Sequence, residues 1–145
     1  MKAINHIVVP VDLEEHTEKL LEYAAYIADK LAAKLSVIHV VEPFPTTGDM
    51  ELGLASIKEY TQNRIQHAGE FLAKLAAPYP ESKTKVLHGI VVDEIVNFAK
   101  DKESDIIIIG THGSKGIEKL LLGSVAERVV KSSHCPTLVM NPFKI

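Results

Sequence analysis

Ile106-Ile107-Ile108-Ile109-Gly110-Thr111-His112-Gly113-Ser114-Lys115-Gly116-Ile117-Glu118-Lys119-Leu120-Leu121-Leu122-Gly123-Ser124-Val125-Ala126-Glu127 is the stretch from which the architecture of this chain is read. Four consecutive β-branched apolar residues suit a strand buried on both faces, as in a parallel sheet. Glycines follow at once and let a ligand approach bare backbone. Ser124, with Glu127 three residues on, has the spacing of a capping box that opens a helix. Strand, glycine loop and helix N-terminus together make an anion site, because unpaired amides and the helix dipole favour negative charge. The expected ligand therefore carries phosphate.

Upstream, Ile4 to Val11 reads as a buried first strand that stops near Pro10, with Asp12 at its C-terminal end. From Thr17 to Ala33, Leu20, Ala24, Ile27, Ala28 and Leu31 recur on one helical face, with Thr17 as the candidate cap. Leu35 to Val41 is a second strand, followed by a loop carrying Pro43, Pro45, Gly48 and Gly53. A long helix starts between Met50 and Ile57, uses Ile57, Thr61, Ile65, Ala68, Leu72 and Leu75 as its face, and ends before Pro78 and Pro80. Lys83 to His88 alternates as a weaker strand near a sheet edge, and Gly89 turns into a helix with Ile95, Phe98 and Ala99. Downstream of the central stretch come a helix to about Ser133 and a last short strand, Pro136 to Met140. The order βαβαβαβαβ predicts an α/β domain over residues 1–145, an open parallel sheet with helices on both faces.

The totals agree with that class. The chain has 145 residues, of which 46% are hydrophobic, enough for one substantial core. A net charge of −3 gives no electrostatic reason to expect nucleic acid. The single cysteine, Cys135, allows no internal disulfide, and the N-terminus lacks a signal-peptide pattern, so a cytoplasmic location is expected. No apolar run is long enough to insert into a bilayer.

The glycine pattern Gly110-x2-Gly113-x9-Gly123-Ser124 is neither the dinucleotide fingerprint nor the P-loop. On these residues alone, phosphate binding and a plain strand-to-helix connection weigh equally. Ser124 serves as a helix cap, a phosphate ligand, or each in turn. Lys115 and Lys119 stand where they could add charge above the loop, although a solvated face explains each singly. In a 3-2-1-4-5 strand order the switch point lies between strands one and four, and Asp12 faces the Gly110 loop across it. There Asp12 either takes a ribose hydroxyl or a metal, or satisfies amides of its own turn. Val40 and Val41 either wall an adenine pocket or belong to the core. The seven histidines have no zinc spacing, and no triad is visible.

At these residues the chain resembles the universal stress protein family. The likeness runs nearly end to end, through Ile7-Val8-Val9-Pro10-Val11-Asp12, the Gly89 turn, Gly110-Thr111-His112-Gly113, Leu121 to Val129 and Cys135-Pro136-Thr137-Leu138-Val139. The resemblance implies a five-stranded parallel α/β fold, akin to the adenine nucleotide alpha hydrolases, with order 3-2-1-4-5. Its ATP-binding branch is marked by G-x2-G-x9-G-[ST], matched here at Gly110, Gly113, Gly123 and Ser124. By that likeness ATP, with Mg²⁺ or a similar ion bridging its phosphates, is held by Pro10, Val11, Asp12, Val40, Val41, Gly110, Thr111, His112, Gly113, Gly123, Ser124 and Val125. Many relatives carry arginine after Gly113, where this chain has Ser114-Lys115. The resemblance further implies a regulatory homodimer of the stress response, acting through a protein partner. The last strand, Thr137-Leu138-Val139-Met140, is the expected seam, since it has no charge and no internal proline. The alternatives are a slow ATPase or nucleotidyl-transfer enzyme of the same fold, and a structural dimer without nucleotide.

Overall fold

A computed structural model describes residues 2–45, 53–111 and 122–144. The elements are β1 (His6–Pro10), α1 (Thr17–Leu31), β2 (Lys34–Val41), α2 (Leu54–Ala76), β3 (Lys83–His88), α3 (Val91–Asp101), β4 (Ile106–Gly110), α4 (Ser124–Ser132) and β5 (Thr137–Met140). All strand pairs are parallel, and the five-stranded sheet has the expected order β3-β2-β1-β4-β5. Strand alternation divides the core in two. Ile7, Val9, Val37 and Ile108 pack with Leu20, Leu21 and Ala24 of α1 and Leu72 of α2. Val8, Ile38, Ile107 and Ile109 pack with Val92, Ile95 and Ala99 of α3 and Ala126 and Val129 of α4.

Two expected faces shift slightly. On α1, Leu21 is fully buried while Leu31 is exposed, so the buried stripe turns by one residue. On α2, Ala68, Leu72 and Ala76 are buried, whereas Ile57, Thr61, Ile65 and Leu75 are only half-buried. β3 is an edge strand with Lys83 and Lys85 exposed, which blunts the edge against pairing with another chain. The Gly89 turn that follows has φ of +152°, a conformation that disfavours any residue with a Cβ.

Pro10 shapes the sheet where it matters. The Val11 amide donates to Ile38 O on the β2 side at 2.8 Å, so by alternation position 10 faces β4. Proline offers no N–H there. Pairing between β1 and β4 is confined to Ile7↔Ile106 and Val8↔Ile107. The two central strands part beyond that point, and a crevice opens at their C-terminal ends.

At the other end of the sheet, His6 is wedged between two buried serines. Its Nε2 lies 2.8 Å from Ser36 Oγ, and its Nδ1 lies 3.1 Å from Ser104 Oγ and 3.4 Å from Lys102 O. Burial holds the imidazole below the ordinary histidine value of 6.5. The Lys102 carbonyl and the Asp105 carboxylate push it up, and the Lys34 and Lys102 charges push it further down. The unfolded chain therefore binds this proton more readily than the folded one. The contribution to stability is complete above about pH 6.5 and falls as the pH drops below it. Urea midpoints at about pH 7.5 and about pH 5.5 should differ in the parent, and by less in His6→Asn. An equal difference in both proteins would show that His6 is not the group responsible.

Candidate functional site

The crevice between β1 and β4 widens into a cavity of about 420 Å³. Its lining draws on every layer of the fold. β1 and the residues after it supply Pro10, Val11 and Asp12, and β4 supplies Ile109 and Gly110, followed by Thr111. β2 supplies His39 and Val40, followed by Glu42. Gly123, Ser124, Val125 and Ala126 close one side at the start of α4, and Val91 and Ile95 of α3 form an apolar wall. Its size lies within the range of small-molecule sites.

Asp12 sits in a tight local network. Its Oδ1 accepts from the Glu14 amide at 3.0 Å and from the Thr17 hydroxyl at 3.1 Å. Its Oδ2 lies 3.4 Å from His16 Nε2. Thr17 does not cap α1: it is the first helical residue, 1% exposed, and its hydroxyl is turned to Asp12. His16 occupies the cap position without a side-chain bond, and its ring lies 5.3 Å from that of Phe143. Leu13, with φ of 65°, makes the bend that brings Asp12 back over the strand end.

The start of α4 differs from the capping box that the sequence suggests. Gly123 is the cap residue, with φ −56° and ψ 151°, and Ser124 is the first residue inside the helix. Among the described residues no side chain caps this terminus, and the amides of its first turn have no intrahelical partner. Gly123 instead ties the helix to β4, its amide donating to Thr111 O at 2.7 Å. Glu127 turns away and pairs with Lys131 at 2.6 Å, which holds its carboxyl below the usual range. The pair is exposed on both sides, so Glu127→Gln should leave the melting temperature unchanged. A marked drop would mean that Glu127 does cap the helix.

Nine of the sequence-derived site residues therefore meet at one cavity: Pro10, Val11, Asp12, Val40, Gly110, Thr111, Gly123, Ser124 and Val125. Val41 does not line it. Val41 is buried, and its carbonyl accepts from the Gly89 amide at 3.1 Å. His112, Gly113, Lys115 and Lys119 lie outside the described residues. The fold adds lining residues that sequence reasoning missed, above all His16, His39 and Arg64. His39 Nδ1 lies 2.7 Å from Val11 O, across the seam of β1 and β2. Arg64 reaches down from α2 to Glu42 O at 2.9 Å and is the only arginine or lysine among the described lining residues. Its helical position carries no local signal for such a role. Among the described residues, no cluster of three or more His, Cys, Asp or Glu side chains could hold a metal ion. None of the described helices is long and apolar enough to cross a membrane.

Comparison with known proteins fits this geometry. Universal stress protein MJ0531 of Methanocaldococcus jannaschii is 39% identical over 144 residues, covering 95% of this chain and 82% of the relative. The solved structure of protein MJ0577, from the same organism, superposes with a TM-score of 0.80 at 27% identity, covering 97% of each chain. A universal stress protein from Archaeoglobus fulgidus, solved in complex with dAMP, superposes at 0.59 with 25% identity, covering 95% of this chain and 98% of its own. The sequence profile of the universal stress protein family matches residues 3–141. With sheet order, switch-point cavity and profile in agreement over nearly the whole length, the chain belongs to the universal stress protein family.

Proposed function

We propose that this protein is a cytoplasmic, ATP-binding regulatory homodimer of the stress response. The observation that carries the nucleotide reading is the N-terminus of α4, which no side chain among the described residues caps, set with Asp12 on a cavity of about 420 Å³ at the sheet's switch point. The amides of Ser124, Val125 and Ala126 receive phosphate, Asp12 takes ribose hydroxyls, and the base rests among Val40, Val91 and Ile95. Mg²⁺, bound with the nucleotide, would offset the charge of its phosphates. The relative solved with dAMP supports an adenine nucleotide as the ligand class. Calorimetric titration with ATP and Mg²⁺ tests the assignment, and absence of binding at millimolar ATP would reject it.

A second reading, enzymatic hydrolysis, has one observation in its favour, the approach of His16 to Asp12 at 3.4 Å. Three facts limit it. The His16 side chain is only 9% exposed, Asp12 Oδ1 is already shared by two donors, and His39 Nδ1 is committed to the Val11 carbonyl. None of the three is poised to activate water. Turnover should be well under the roughly 10 s⁻¹ typical of enzymes. A coupled ADP assay measures it, and turnover in the ordinary range would move the protein to the enzyme class.

A further inference from the structure

A second cavity, of about 610 Å³, opens at the N-terminal ends of β2 and β3, at the opposite end of the sheet from the nucleotide cavity. Lys34 of β2, Lys83 and Lys85 of β3 and Lys102 just beyond α3 all line it. Strand alternation puts Lys83 and Lys85 on the same face as Leu87, which packs under α3, and puts Ser36 on the face of Ile38 and Val40. The floor is polar where the core is elsewhere aliphatic: Ser36 Oγ and His6 Nε2 meet there at 2.8 Å. Phe98 supplies an apolar wall.

Edge protection accounts for Lys83 and Lys85. It does not account for Lys34, on an interior strand, or for Lys102, at the end of a helix. Charges from three elements converge on one concavity. Among the described lining residues Glu81 is the only carboxylate, in a protein whose net charge is −3. Asp105, beside His6, is already taken by the amides of Asn5 and His6 and by Lys2 at 3.0 Å. Among the described lining residues there is no arginine fork of the kind that grips a carboxylate in its plane. Several separate ammonium groups suit a compact anion with charge on all sides, which is phosphate chemistry.

We propose that this cavity is a second anion site, which takes a small multiply charged phosphate between Lys34, Lys83, Lys85 and Lys102, above the floor formed by Ser36 and His6. All four lysines are exposed, so their ammonium groups stand at the rim of the cavity rather than inside the core. The site is independent of the nucleotide cavity and does not require that reading to hold.

Amide NMR with inorganic pyrophosphate tests the proposal. Resonances of Ser36, Lys83, Lys85 and Lys102 should shift saturably, and citrate at the same concentration should not match the effect. The exposed pair Lys83→Ala/Lys85→Ala should lose affinity about tenfold or more. Lys19→Ala/Lys30→Ala, which changes net charge equally on α1, should lose little. Shifts confined to Asp12, Gly110 and Ser124 would assign pyrophosphate to the nucleotide cavity and overturn the proposal. So would equal binding of citrate, or unchanged affinity in the Lys83 and Lys85 variant.

Discussion

Gly123→Val should weaken ATP binding about a hundredfold while the circular dichroism spectrum stays native. Gly123 has φ −56° and ψ 151°, a conformation that a β-branched residue adopts without strain, so the fold survives the change. Its amide bond to Thr111 O, which fixes the helix to β4, survives too. What changes is the mouth of the helix. A branched side chain there stands in front of amides with no intrahelical partner and keeps phosphate from reaching them. Two lost charge-assisted hydrogen bonds, each at the lower figure of about 1.5 kcal/mol, set the scale. Calorimetry reads the result directly. Unchanged affinity in the folded variant would place the phosphates elsewhere.

If the protein is the proposed homodimer, Val139→Pro should convert it to monomer in light scattering at micromolar concentration. β5 lies at the edge of the sheet, and among the described residues no strand pairs with its outer side. Pro136 O and Met140 O accept from Ile107 and Thr111 of the β4 side, at 3.0 and 2.8 Å. By alternation, Thr137 and Val139 turn their N–H and C=O groups outward. A proline at 139 therefore removes no donor from the ladder to β4, and the monomer tolerates it as edge strands do. It does remove a donor from any seam with a second copy. Leu138 and Val139 are half-buried and would be covered by their mates across a two-fold axis. Among the described residues after β5, Pro142–Lys144 form a short 3-10 turn, with Phe143 against His16 of the α1 entry. A monomeric parent would end the dimer proposal, and a fully dimeric variant would move the interface to another face.

The sequence determined the sheet, its helices and the place of the cavity. Runs such as Ile106–Ile109 and Leu35–Val41 can be buried on two faces only in a parallel sheet, and punctuation by Pro10, Gly89 and Gly110 is local chemistry. Asp12 and the Gly110 and Gly123 positions were legible because strand ends and helix starts are where an α/β sheet binds ligands. Tertiary structure decided the rest. Thr17 and Ser124 look like caps in sequence, since cap propensity is scored against a helix alone. In the fold Asp12 claims the Thr17 hydroxyl, and Gly123 takes the cap position ahead of Ser124. Val41 is adjacent to Val40 yet misses the cavity, because it is buried in the core and its carbonyl is taken by the Gly89 amide. Arg64 and His39 join the site through pairings between elements far apart in the chain, and so do the lysines that meet around Ser36 and His6. No local pattern encodes such meetings; they exist only once the strands have found their register.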